Sequence, residues 1–93
     1  MVYDDGIIQR VWERGAAVSG CSPDNWRMDM YGALIGRTAF GKLGSPYGWE
    51  IAKLDPGGPD HAENLWPMHW QSARARRAAA ERAPAARHPM IIA

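Results

Sequence analysis

The sequence predicts a small α+β domain in which an antiparallel hairpin packs on a C-terminal helix, with a short helix ahead of it. Three observations within residues 47–77 carry this expectation. Tyr47, Trp49 and Ile51 alternate with Gly48, Glu50 and Ala52, the period of a strand with one buried face. Asp55-Pro56-Gly57-Gly58-Pro59-Asp60 follows, a cluster of residues that bends the chain. From Asn64-Leu65 through Arg82 the chain is rich in Ala and Arg and contains no Gly, which predicts a helix.

Length and composition limit what these elements can form. A chain of 93 residues makes one domain, whose small core often needs a metal or a partner for stability. Five Trp and five Met in a chain that is 46% hydrophobic supply the core, while ten Gly and seven Pro point to a loop-rich fold. The formal net charge of +1 is unevenly placed: residues 1–70 carry six Lys or Arg against nine Asp or Glu, whereas residues 71–93 carry five Arg against Glu81. A basic segment thus follows a mildly acidic body.

Cys21 is the single cysteine, which excludes an internal disulfide and a cysteine-based zinc site and fits a reducing, cytoplasmic setting. With nothing beside it in sequence to lower its pKa, Cys21 is expected to be a buried structural thiol. No apolar run approaches the roughly 20 residues that span a bilayer. Asp4 and Asp5 stand where a signal peptide would carry positive charge, so no such peptide is expected.

In chain order, Ile7, Ile8, Val11 and Trp12 mark an amphipathic helix that Asp4 or Asp5 can cap and Gly15 can end. About two turns do not hold alone, so Trp12 and Ile8 must pack on the body or on a partner. Ser19–Asn25 reads as a loop. Trp26 to Ile35 alternates imperfectly and reads as a strand or extended segment, with Gly32 marking a bulge. Gly36, Gly41, Gly44, Ser45 and Pro46 then form a turn-rich connection, expected to fold this segment back against Tyr47–Leu54 as an antiparallel pair. Pro84 ends the final helix, and Arg87–Ala93 reads as an extended tail with an apolar end. The expected division is a helical arm over 1–18, a domain over 19–83 and a tail over 84–93.

The stretch from Trp26 to Arg77 resembles the HNH nucleases, whose fold is the ββα-metal type. The residues that carry the resemblance are Tyr47-Gly48-Trp49-Glu50-Ile51, Gly57-Gly58, Asn64-Leu65 and Pro67-Met68-His69-Trp70-Gln71, with Asp29–Ala33 similar to the segment that precedes the hairpin. It covers somewhat more than half the chain and agrees at several separate places.

The resemblance implies a catalytic set that this sequence lacks. The positions of the family's metal-binding Asp and general-base His are Ala52 and Lys53, and that of its last metal-binding residue is Ala73. Asn64 is retained, with the implied role of holding the loop by hydrogen bonds. Physical chemistry agrees: a divalent cation needs several oxygen or imidazole ligands within about 2.0–2.6 Å. Ala52 and Ala73 offer methyl groups, and Lys53, with a reference pKa of about 10.4, is no base at neutral pH. His61 is expected in solvent and His69 as a hydrogen-bonded structural residue.

Two binding roles remain. Lys53, Arg74, Arg76 and Arg77 are candidates for phosphate contacts. At about 100° per residue, however, Arg76 lies near 200°, Arg77 near 300° and Arg82 near 80° from Arg74, a ring rather than a stripe. Trp12, Met90, Ile91 and Ile92 are candidates for anchoring a protein partner. The sequence therefore favours a catalytically inactive HNH-like module, without a cofactor, acting as an accessory subunit of a protein assembly. The alternatives are a nucleic-acid-binding module without cleavage, or a metal-dependent HNH endonuclease acting on DNA.

Overall fold

A computed structural model describes residues 3–82. The chain is an α+β fold of two antiparallel sheets and two helices: α1 (Asp5–Trp12), β1 (Ala16–Ala17), β2 (Trp26–Met28), β3 (Leu34–Gly36), β4 (Trp49–Lys53), β5 (Leu65–His69) and α2 (Trp70–Arg82). Single 3-10 turns at Arg37–Ala39 and Ala62–Asn64 lead out of β3 and into β5. Strands β1, β2 and β3 form one sheet in that order, and β4 pairs with β5 in the other.

Helix α1 begins where its cap dictates. The Asp4 carboxylate accepts the Ile7 amide at 2.8 Å, satisfying one of the free N–H groups of the first turn. Ile8, Val11 and Trp12 face inward, and Val11 and Trp12 are fully buried. Helix α1, within the arm expected over residues 1–18, thus contributes to the core. At its far end the Arg27 guanidinium donates to the Glu13 and Gly15 carbonyls, supplying positive charge where the helix dipole favours it.

The pairing expected between the Trp26–Ile35 segment and Tyr47–Leu54 is corrected. Residues 26–36 are a hairpin in themselves, with Trp26 opposite Gly36 and Met28 opposite Leu34. The reversal is made by Asp29, whose Oδ1 accepts the Tyr31 and Ala33 amides at 2.9 Å, and by Gly32, whose φ of +83° suits a residue without Cβ. The true partner of β4 is β5, in the register Trp49–His69, Ile51–Pro67 and Lys53–Leu65.

The helix expected from Asn64-Leu65 therefore starts at Trp70, and the five residues before it are strand. Pro67 is compatible with that strand because of its register. Leu54 N–H donates to Asn64 O and Trp70 N–H to Gly48 O. In the alternation of antiparallel bonds, this puts Pro67 opposite Ile51 at a pair that needs no N–H.

The core lies between α1 and one face of the β4–β5 ribbon. Trp12, Ile8 and Val11 meet Trp49, Leu65 and Ile35, with the Trp12 and Trp49 rings 5.3 Å apart. The indole N–H groups of Trp12 and Trp49 find carbonyls, Trp12 Nε1 donating to Pro23 O and Trp49 Nε1 to Gly36 O, whereas the buried Trp66 Nε1 has no partner among the described residues. The opposite face of the ribbon carries Glu50, Ala52 and Met68 toward α2. No helix among the described residues is long and apolar enough to cross a membrane.

Candidate functional site

Where the C-terminal half of β4 lies beside α2, a groove of about 560 Å³ opens. Its position follows from strand alternation. Trp49 and Ile51 turn toward α1, so Glu50 and Ala52 turn the other way, where Met68, directly opposite Glu50, and Ala73 of α2 complete an apolar floor. Met68 and Ala73 are buried. Small side chains at 52, 73 and 80 leave the space open.

Ala52, Lys53 and Ala73 line this groove together with Arg76 and Arg77. Arg74 is exposed and does not line it. Helix phase explains the split: Ala73, Arg76, Arg77 and Ala80 follow the three- and four-residue spacing of one helix face, and Arg74 falls outside it.

The cations of the groove are engaged within the protein. Lys53 Nζ pairs with Asp60 at 2.8 Å and donates to Gly58 O at 3.3 Å. Its pKa is raised above 10.5 chiefly by the hydrogen bond to Asp60, with the Asp60 charge adding to it against some desolvation. Arg77 Nη1 meets Glu50 Oε1 at 2.7 Å. Arg76 Nη1 donates to Lys53 O at 2.6 Å and Nη2 to Leu54 O at 2.5 Å, fastening the middle of α2 to the end of β4. Glu50 and Arg76 thus shape the site, though sequence inspection did not single out the first and gave the second a different partner. The signal for Glu50 lay in the alternation that turns it to the face away from Trp49.

The loop between β4 and β5 is closed by Asn64. Its Oδ1 accepts the Asp55 amide at 2.8 Å, and its Nδ2 donates to Asp55 O at 2.9 Å and Pro59 O at 3.0 Å. The expected structural role of Asn64 is thereby met. Gly58 follows from the same clasp, since a Cβ there would lie 2.9 Å from Asn64 Nδ2. At the other end of the ribbon, His69 uses both ring nitrogens: Nδ1 accepts the Gln71 amide at 3.0 Å, and Nε2 lies 2.8 Å from Pro46 O. His69 caps α2 and holds the preceding loop, and neither nitrogen is left for a metal. His61 is exposed.

A divalent cation does not fit the residues at the groove. Ala52 and Ala73 supply no donor atoms, the carboxylate of Glu50 is held by Arg77, and the carbonyls at the end of β4 already accept from a guanidinium. Among the described residues, no three His, Cys, Asp or Glu side chains converge on a point. Trp12, expected as a partner anchor, is fully buried, because α1 supplies the core that the ribbon alone lacks. Cys21, expected to be buried, is exposed in the loop ahead of β2. Met90, Ile91 and Ile92 lie outside the described residues. No family model matches the chain, and no curated protein or solved structure matches it significantly.

Proposed function

We propose that the chain is a catalytically silent HNH-like domain that works as a binding module, an accessory subunit held in a protein assembly. The observation that carries this reading is the Arg76 guanidinium on the carbonyls of Lys53 and Leu54, beside the methyl groups of Ala52 and Ala73. A permanent cation beside those methyl groups supports a site that works without a metal ion. The order β4, clasped loop, β5, α2 supports the same frame, with Asn64 in the loop-holding role that the resemblance implies.

The reading favours a protein over a nucleic acid as partner. Phosphate binding draws on a row of cations free to replace counterions, and at the groove Lys53 and Arg77 are already paired with Asp60 and Glu50, which leaves Arg76 as the one lining cation without a carboxylate among the described residues. Two measurements test the proposal. Purified protein incubated with supercoiled plasmid and Mg²⁺, Mn²⁺ or Zn²⁺ should leave the plasmid intact. Cleavage that elutes with the protein and stops on chelation would overturn the inactive reading. The untagged chain should elute from extracts of its own host in a complex larger than its 10.3 kDa mass, and a clean monomer there would count against the assembly.

A further inference from the structure

We infer that the groove between β4 and α2 is the docking site for an acidic, apolar segment of a partner protein, with an apolar side chain on Ala52, Leu54 and Ala80 and a carboxylate on Arg76. This rests on the reading of the domain as a binding module and adds the chemistry of what it binds.

Charge matching singles out Arg76. Arg77 is neutralised by Glu50 and Lys53 by Asp60, whereas Arg76 donates only to two neutral carbonyls, and no carboxylate pairs with it among the described residues. A guanidinium has five N–H donors in a planar fork, so three remain after those bonds. Arg76 is half-buried, where reduced dielectric strengthens the attraction of an unmatched cation for an anion. Its two fixed bonds hold the fork in place, so little rotamer freedom is lost when a carboxylate arrives.

The floor decides what carries that carboxylate. Accessible apolar surface from Ala52, Pro56 and Ala80, continued by Leu54, which is 36% exposed, over the buried Met68 and Ala73, matches an aliphatic or aromatic side chain. A sugar-phosphate backbone would set polar atoms on that surface and find one unmatched cation rather than a row of them. The volume of about 560 Å³ falls within the range of roughly 300–1,000 Å³ typical of pre-formed ligand clefts. That range accommodates a few side chains, the scale of a short peptide anchor rather than a flat protein face.

The test pans a phage-displayed library of random twelve-residue peptides against the full 93-residue chain and titrates the enriched sequences as synthetic peptides by NMR. Enriched peptides should place Asp or Glu beside Leu, Ile, Met or Phe and shift the amides of Ala52, Leu54 and Ala80. Replacing their carboxylates by Asn or Gln should weaken binding tenfold or more. Ala80→Tyr, a change at an exposed helix position that puts a ring into the groove, should do the same while leaving the rest of the spectrum in place.

The inference fails if no peptide is enriched, if the enriched peptides lack acidic residues, or if Ala80→Tyr binds them unchanged. It fails also if a twelve-nucleotide single strand displaces them at lower concentration. Peptides that bind another face would remove the groove assignment and leave the module reading standing. A chain that binds no peptide and is monomeric in its host would remove both.

Discussion

Asn64 commits its whole carboxamide to the β4–β5 loop, accepting from Asp55 and donating to Asp55 and Pro59. At about 1 kcal/mol net for each of three partly exposed bonds, Asn64→Ala should lower stability by about 2–3 kcal/mol in urea unfolding. A loss below about 0.5 kcal/mol would mean that the turn residues hold the loop unaided. Lys53 gives a different signature. Its folded pKa is raised by the hydrogen bond to Asp60, so its contribution is fully present below 10.5 and is lost as pH rises through the raised value. The Tm difference between the wild type and Lys53→Met should therefore be constant through neutral pH and shrink at alkaline pH. A difference that widened above 10.5 would contradict the pairing. Asn64 was legible in the sequence because a side-chain amide among turn residues has few partners other than the loop backbone. Arg76 was not legible, since helix phase gives the direction of a side chain but not which strand end meets it.

At the scale of elements, α1 was legible in its existence and apolar face, and its cap was narrowed to Asp4 or Asp5, because these are local signals; the bond to the Ile7 amide selects Asp4, and the helix ends at Trp12, ahead of Gly15. The partner of β4 was not. Both Trp26–Ile35 and Leu65–His69 are apolar enough to pair with it, and the Ala- and Arg-rich sequence after Trp70 drew the helix boundary forward through Pro67, which a first helical turn also tolerates. What selects β5 is the register that puts Leu65, Pro67 and His69 on the face of Trp49, and that choice is made by tertiary packing. The consequence for α1 is testable. Trp12 is fully buried against Trp49, and replacing a buried Trp by Ala costs about 3–5 kcal/mol, a large share of the roughly 5–15 kcal/mol that holds a domain together. Trp12→Ala should lose its near-ultraviolet circular dichroism at or near room temperature, whereas a variant with an intact spectrum and an unchanged urea midpoint would return α1 to the status of an independent arm.

At the scale of the molecule, the β1–β2–β3 sheet and the β4–β5 ribbon are joined by the buried Asp29, whose Oδ2 accepts the His69 amide at 3.0 Å. The groove is therefore set on a frame fixed from both sides, and its chemistry can be altered without altering the frame. If that frame is HNH-like, donors returned to the vacated positions should converge. Ala52→Asp, Lys53→His and Ala73→Asn together supply two oxygens and an imidazole around one end of the groove. Arg76 opposes them: a divalent ion about 5 Å from a guanidinium is disfavoured by roughly 6–7 kcal/mol at an effective dielectric constant of 20. By calorimetry, the triple variant should show no Zn²⁺ binding at millimolar concentration, and adding Arg76→Ala should bring the affinity into the micromolar range. Equal binding with and without Arg76 would show that its charge is not what excludes a metal. Absence of binding in both folded variants would mean that β4 and α2 do not hold these positions in the geometry of a metal site, and would count against the HNH-like reading itself.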